Sequence, residues 1–220
     1  MKIEHDCVNV GCGASPTPGW LNFDNSWSVR IARFRVVRWC VLPWVGTARR
    51  EFIRTALASR VQWADAARLP LRDSSVRVVY TSHMLEHLDR RDVVQCLREI
   101  RRVLVPGGRV RIAVPDLHLL VQDYLQSGDA DRLMERSFLC TDRPRSFGRK
   151  LLNVVVGERH HRWMYDGQSM SRLLLSVGFD APAIVSAGRT TIDDCGDLDL
   201  NERADESVYV EASNPLRSSG

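Results

Sequence analysis

Short apolar runs alternate with amphipathic stretches along most of the chain. Cys7 to Val10 is an apolar run that reads as a buried strand and stops at Gly11-Cys12-Gly13. Two glycines one residue apart permit a sharp bend and leave no side chain between the turn and a ligand. Gly19 to Asp24 alternates with the period of a strand and ends on a carboxylate. Val61 to Asp65 reads as a third strand, and Val76 to Tyr80 as a fourth, mostly apolar strand of the kind found in parallel sheets. Arg91 to Val105 carries Val93, Leu97, Ile100 and Leu104 at helical spacing, and Pro106-Gly107-Gly108 is predicted to stop that helix. Arg109 to Pro115 is a fifth strand, and Asp116 to Leu125 a helix with Leu119, Leu120 and Tyr124 facing inward. Asp166 is predicted to cap a helix with an apolar stripe of Met170, Leu173, Leu174 and Val177, ended by Gly178. Phe179 to Ala187 and Ser207 to Ala212 then form an antiparallel pair around an acidic loop, Asp193 to Glu206. The succession of strands and helices predicts an α/β doubly wound layout.

Residues 27–60 depart from this rhythm. Eight arginines (30, 33, 35, 38, 49, 50, 54 and 60) face one acid, Glu51, and are interleaved with Trp27, Phe34, Trp39, Trp44 and Phe52. Val29, Ala32, Val36, Trp39 and Cys40 share one helical face, and Pro43 is expected to divide the stretch into two helices. An arginine-rich helical cover over a core accounts for this pattern. A patch for an anionic membrane surface or an anionic substrate is the other reading.

Composition narrows the class. With 220 residues, 44% hydrophobic and 26% charged, the chain is long enough for one well-cored soluble domain. The expected division is a single domain over residues 1–214, with the basic insert at about 27–60, a cap segment at about 127–165 and a loose tail at 215–220. No apolar run reaches the roughly 18 residues of a membrane span, and the polar start lacks a signal-peptide pattern. The six cysteines are scattered without a Cys-x-x-Cys pair, which suits reduced thiols in a cytoplasm, free or peripheral to the inner face of a membrane. A net charge of +4 is too mild to point to nucleic acid, and none is expected as a partner.

Chemistry concentrates at the predicted strand ends. A carboxylate at the end of the second strand can accept hydrogen bonds from both ribose hydroxyls of an adenosine cofactor. Asp24 also suits the N-cap of the next helix, and spacing alone leaves the two roles even. Asp65 ends the third strand, where its carboxylate and the Ala66 amide can meet an adenine edge. The fourth strand delivers Thr81-Ser82-His83-Met84-Leu85-Glu86-His87 to the same rim.

Four ordered segments make the chain resemble a known family. They are Asn9-Val10-Gly11-Cys12-Gly13; Gly19 to Asp24; Asp65 to Leu71 together with Ser82 to His87; and Arg98 to Gly108. In this order the chain resembles the class I S-adenosylmethionine-dependent methyltransferases, in the group with the type 11 methyltransferase domain. The likeness covers most of residues 7–116. It implies a Rossmann-like doubly wound seven-stranded sheet, mostly parallel with an antiparallel last strand and helices on both faces. It also implies S-adenosyl-L-methionine as cofactor, with Asn9, Gly11, Gly13, Asp24, Asp65, Ala66, Ser82 and His83 around it, and it places Asp24 on the ribose. Three features depart from the family's plan. Asn9 stands where an acid is common, so it can bond the cofactor's amino group without opposing its charge. Arg77 stands where an Asp is frequent, and the basic insert exceeds the minimal plan.

The second half carries the candidate acceptor site. Residues 127–150 read as a polar, irregular cap, with Arg143 and Arg145 (and Arg149) suited to a phosphorylated or carboxylated acceptor. His160-His161-Arg162-Trp163-Met164-Tyr165 follows, and relatives share a His-x-Trp-Met-Tyr stretch that aligns with His161 onward. His160, Trp163 and Tyr165 can line the acceptor pocket, or Trp163 and Tyr165 can simply pack on the core. Adjacent histidines have a metal-ligand reading, but successive residues seldom converge on one ion without further partners, so no metal is expected. The expected activity is methylation of a small-molecule, sugar or lipid-type acceptor, including a lipid-linked one, by in-line transfer to oxygen. His83 is the first candidate base, His161 the second, and Glu86 and His87 are expected to support the site from behind. Two readings compete: a non-catalytic cofactor-binding or membrane-surface adaptor, and an NAD(P)-dependent oxidoreductase. The latter is disfavoured because Ala14-Ser15-Pro16 supplies no third glycine.

Overall fold

The computed structural model describes residues 5–34, 36, 39, 40, 46–139 and 160–216. The seven strands are β1 (His5–Val10), β2 (Leu21–Asp24), β3 (Gln62–Trp63), β4 (Val76–Ser82), β5 (Leu104–Pro115), β6 (Asp180–Val185) and β7 (Ser207–Ser213). The helices are α1 (Trp27–Arg33), α2 (Thr47–Ala58), α3 (Arg90–Val103), α4 (Leu117–Ser127), α5 (Ala130–Ser137) and α6 (Gly167–Ser176). The strands form one sheet in the order β3-β2-β1-β4-β5-β7-β6, in which β7 alone runs against the direction of the other six. Pairing of Val10 with Phe23, Asp24 with Trp63 and Asn9 with Tyr80 brings the carboxyl ends of β1 to β4 to one edge. Open α/β sheets bind their ligands at such an edge.

The apolar periodicity explains the layers. On α3, Val93, Cys96, Leu97, Ile100 and Val103 are buried, and they join Met170, Leu173 and Leu174 of α6 over Val8, Val79, Val110 and Val210 of the sheet. Asp166 caps α6 as expected, in a capping box with Ser169. Glu99 fixes the loop after β3: Oε1 accepts from the Leu69 amide at 2.7 Å, and the carboxylate holds Arg102, which donates to the Leu71 carbonyl at 2.9 Å.

Several boundaries differ from the sequence expectation. Helix α3 ends at Val103, before Pro106-Gly107-Gly108, and the chain is already in β5 at Leu104. Pairing jumps from Val76 with Leu104 to Val78 with Arg109, so Pro-Gly-Gly forms a bulge within the strand. Gly108 is required there, because a Cβ would lie 2.9 Å from the Val105 carbonyl oxygen and 3.0 Å from that of Arg77. Residues 130–137, expected to be irregular, form α5, capped by the Asp129 carboxylate on the Arg132 amide. In α4 only Leu120 is buried, while Leu119 and Tyr124 are partly exposed. In the basic insert, Val29 and Ala32 of α1 meet Ile53 and Ala56 of α2 in a small separate core. Val36, Trp39 and Cys40, expected on the same buried face, are exposed. Pro43, Arg143, Arg145 and Arg149 lie outside the described residues. Among the described residues no helix is long and apolar enough to cross a membrane.

The opposite side of the sheet is covered by the β6–β7 connection, which packs Leu198 on Tyr80, Ala113 and Tyr209. A buried ion pair organises this cover. Arg111 of β5 faces Glu211 of β7 in the strand register, with Nη1 2.5 Å from Oε1 and neither side chain exposed. Arg111 also donates to the carbonyls of Arg189 (2.8 Å) and Leu200 (3.2 Å), and its guanidinium lies 4.6 Å from the Tyr209 ring centroid. The Glu211 carboxylate accepts from the Thr190 hydroxyl and from the amide and hydroxyl of Thr191. Burial pushes the Glu211 carboxyl up, but the hydrogen bonds from Thr191, Thr190 and Arg111 outweigh it and hold the group below its ordinary value. Removing one member of a buried pair strands the other charge, at a cost of about 3–5 kcal/mol. Glu211→Ala is therefore expected to lower stability by about 3–5 kcal/mol in urea denaturation. In the wild type, the share due to Glu211 is complete above its ordinary value of 4.5 and is lost as pH falls below it, which unfolding series at successive pH values will read.

Candidate functional site

The glycine turn is built by its neighbours. Gly11 (φ 71°) and Gly13 (φ 52°) both sit in the left-handed region, and the amides of Gly11 and Cys12 donate to the Phe23 carbonyl at 2.8 and 3.0 Å. A Cβ on Gly11 would lie 2.5 Å from Met84 Cγ, so this glycine lets the segment after β4 close against the turn. Nothing lies within 4 Å of a Cβ on Gly13, which leaves that side of the turn open to a ligand.

Asn9 is fully enclosed under this turn. Its Nδ2 donates to the Thr17 hydroxyl at 3.0 Å and the Ser15 carbonyl at 3.3 Å. Its strand partner Asn22 accepts from the Thr17 amide at 2.8 Å and donates to the Thr17 and Trp20 carbonyls. The two amides thus clamp the segment between β1 and β2. A carboxylate at position 9 has no hydrogen to donate to Ser15, which is a physical reason for Asn there. Asn9 Oδ1 is buried and has no hydrogen-bond partner among the described residues, a state that calls for an incoming donor.

Asp24 joins the turn to the start of α1. Oδ2 accepts from the Gly13 amide at 3.1 Å and Oδ1 from the Ser26 amide at 2.8 Å. Each oxygen keeps a second lone pair, so the carboxylate can still take two hydroxyl donors. The N-cap of α1 is Ser26 rather than Asp24, whose carboxylate instead accepts from the Ser26 amide and stays free for the ribose role. Asp65 lies on the adjacent strand end, exposed, with Oδ1 accepting from the Ala67 amide at 2.9 Å, and Ala66 lies in the same turn. Ser82 closes β4 opposite Ala113. The open side at Gly13 and the spare lone pairs of Asp24 fit the ribose of an adenosine-type cofactor.

His83 lies beside them in a left-handed conformation (φ 46°), uncommon for a residue other than glycine. Arg203 Nη1 donates to its Nδ1 at 2.8 Å, which places the ring hydrogen on Nε2 and directs it to the Ser207 hydroxyl at 2.7 Å. The lone pair a base would need is thus occupied by Arg203. Sequence reasoning did not single out Arg203 or Ser207, because they lie 120 and 124 residues away, in the acidic loop and at the start of β7.

Beyond His83 the chain makes a short 3-10 turn, Leu85–His87, rather than the start of the next helix. Glu86 is fully buried, and neither carboxylate oxygen has a hydrogen-bond partner among the described residues. Its backbone carbonyl accepts from the amides of Arg162 (2.7 Å) and Trp163 (3.3 Å), docking the histidine-tryptophan segment on this turn. His161 is buried with Nδ1 2.8 Å from the Ser137 carbonyl, and His160 offers its own carbonyl to His87 Nδ1 at 3.1 Å. Burial, partly offset by Glu86, holds the His161 imidazole below its ordinary value. Tyr165 lies within the main core, its hydroxyl accepting from Arg90 at 3.3 Å. Trp163 remains half-exposed beneath the Arg90 guanidinium.

A glycine turn and an acid at adjacent strand ends stand where open α/β sheets bind their ligands. Residues 8–112 match the methyltransferase-domain family. A methyltransferase of Streptomyces halstedii, GfsG, is 32% identical over 115 residues, covering 51% of this chain and 38% of that protein. An uncharacterized 37.1 kDa transposon protein of Streptomyces fradiae is 33% identical over 128 residues, covering 58% of this chain and 31% of that protein. The chain thus spans about a third of the length of these relatives. Its fold is similar to that of an S-adenosylmethionine-dependent methyltransferase of Thermotoga maritima, described as a possible histamine N-methyltransferase. That likeness has a TM-score of 0.54 at 15% identity over 97% of this chain and 84% of the other. Residues 8–112 thus match a methyltransferase domain, and the fold is similar to that of S-adenosylmethionine-dependent methyltransferases, whose cofactor is S-adenosylmethionine.

The double role of Asn9 has a measurable consequence. Asn9→Asp replaces a donor by a carboxylate beside the Ser15 carbonyl, and leaving such buried groups unpaired costs about 1–3 kcal/mol. Thermal unfolding of Asn9→Asp is expected to show that loss. A variant at least as stable as the wild type would mean that Asn9 does not hold the loop through its amide.

Proposed function

We propose that this protein transfers the methyl group of S-adenosylmethionine to a hydroxyl of a small-molecule, sugar or lipid-type acceptor. The observation that carries the reading is the strand-end cradle of Asn9, Gly11, Gly13 and Asp24 inside the segment that matches the methyltransferase domain. In this reading Asn9 Oδ1 accepts from the cofactor's ammonium and Asp24 from its ribose hydroxyls, while Asp65 and Ala66 flank the adenine. The bound cofactor supplies an activated methyl on a sulfonium. The protein's part is alignment of the acceptor oxygen at about 3–3.5 Å, which can contribute on the order of 7–11 kcal/mol. His83 at the end of β4 is the favoured base: release of Nδ1 by Arg203 frees the lone pair that takes the hydroxyl proton. His161 is less suited, since its Nε2 is turned toward Glu86. His160 and half-exposed Trp163 remain candidate acceptor contacts, whereas the burial of Tyr165 favours a supporting role.

Calorimetric titration with S-adenosylhomocysteine, with NADH as control, tests the cofactor. Binding of the first alone is expected, weakened roughly 10- to 100-fold in Asp24→Ala by loss of charge-assisted hydrogen bonds. Asp24→Asn keeps one acceptor oxygen, enough for the Gly13 or the Ser26 amide but not both, and is expected to lose less than Asp24→Ala. Binding of neither ligand would favour the adaptor reading.

Exposed Phe34, Val36 and Trp39 among the arginines of the insert support a peripheral contact with anionic membrane. Trp39, 80% exposed, is the natural probe. Sedimentation with anionic vesicles is expected for the wild type and reduced in Trp39→Ser. No sedimentation would leave the insert as a cover or an acceptor contact.

A further inference from the structure

The turn after β4 holds a group that methyl transfer does not use. Glu86 has no exposed surface, and neither carboxylate oxygen has a hydrogen-bond partner among the described residues. Burying an unpaired carboxylate is costly unless something positive meets it. Three imidazoles surround it. His83 Nδ1 lies 3.4 Å from Glu86 Oε1, His161 Nε2 3.9 Å and His87 Nε2 4.0 Å. His83 is committed to Arg203 and Ser207, so it stands aside.

The other two rings share one orientation. His87 Nδ1 is 3.1 Å from the His160 carbonyl, and His161 Nδ1 is 2.8 Å from the Ser137 carbonyl. A carbonyl can only accept, so each ring carries its hydrogen on Nδ1 and turns the Nε2 lone pair toward Glu86. A backbone carbonyl on one nitrogen with the lone pair of the other presented inward is how metal-binding histidines are commonly fixed. The donor atoms of Glu86, His87 and His161 all lie within 4.8 Å of one another.

We propose that Glu86, His87 and His161 form a three-ligand site for a divalent first-row transition metal ion, of the zinc class. Two imidazole nitrogens and one carboxylate oxygen suit zinc and its neighbours better than magnesium or calcium, which prefer all-oxygen sites. Bond lengths near 2.1 Å in a tetrahedral site put nitrogen and oxygen ligands about 3.4 Å apart, so shifts of about half an ångström complete the coordination. His87 is part-exposed, which gives the ion an entry path, and three protein ligands leave coordination open to water or to an oxygen of a bound molecule. The adjacent pair His160-His161 does not converge on the ion: His160 contributes its carbonyl behind His87, and the second imidazole comes from 74 positions earlier in the chain.

Chelator-treated protein, titrated with zinc chloride by calorimetry and with cobalt(II) by visible absorption, tests the site independently of methyl transfer. One ion per chain is expected, with cobalt ligand-field bands of a low-coordinate site. His87→Ala and Glu86→Gln are each expected to weaken binding about tenfold or more. His118→Ala, an exposed histidine outside the cluster, leaves it unchanged. Circular dichroism establishes that each variant is folded. Failure of the wild type to bind one ion per chain overturns the proposal, and so does binding that survives both substitutions.

Discussion

The buried contact between Arg111 and Glu211 governs more of this molecule than its two residues suggest. It lies where β5 meets the antiparallel strand β7, and both side chains are withdrawn from water. Neither charge could remain there alone. The guanidinium has five donors and the carboxylate four acceptor positions, and the β6–β7 connection meets much of the surplus: Arg189, Thr190, Thr191 and Leu200 all turn inward to it. That connection is largely polar and acidic and could not cover a sheet by apolar burial alone. Fixed by the pair, and by Glu202 on the hydroxyls of Tyr80 and Tyr209, it delivers Arg203 to His83. An electrostatic requirement deep in the sheet thus sets the state of a ring at the candidate site.

The glycine turn follows the same logic with neutral groups. Its conformation is permitted by Gly11 and Gly13, but permission does not select a structure. Selection comes from the paired amides of Asn9 and Asn22, which hold Thr17, and from the Asp24 carboxylate, which spans the turn and the start of α1. Each of these groups retains unused hydrogen-bonding capacity. A site built this way is held in place before any ligand arrives, so little ordering remains for binding to oppose.

How much of this could be read from the chain differs by mechanism. Parallel strands were legible because burial on both faces demands mostly apolar residues, as in Val76 to Tyr80 with Arg77 the one break, and α3 and α6 because one face alone is apolar. Pro106-Gly107-Gly108 misled because glycines with free φ serve a strand bulge as well as a helix end. The insert misled in another way: Val36 and Trp39 continue the helical spacing of Val29 and Ala32, but the small core with α2 encloses only the first turns. Asp24 and Asp65 were legible because acids at strand ends fall on one rim. Arg203 and Ser207 were not, since contacts across 120 and more positions leave no periodic trace.

Glu86 lies between these cases. The short sequence Leu85-Glu86-His87 resembles the first turn of a helix with a favourable acid, and nothing local reveals that its carboxylate will be enclosed. Enclosure arises because the Glu86 carbonyl receives two amides from the segment 160–163, which closes over the turn. The same docking that hides the charge brings His161 against it and fixes His87 from behind. A chain that merely needed to cover this turn could have used a glutamine, which is neutral and brings its own donor. A carboxylate retained among imidazole lone pairs, with every ring hydrogen directed away from it, is an arrangement that makes chemical sense around a cation.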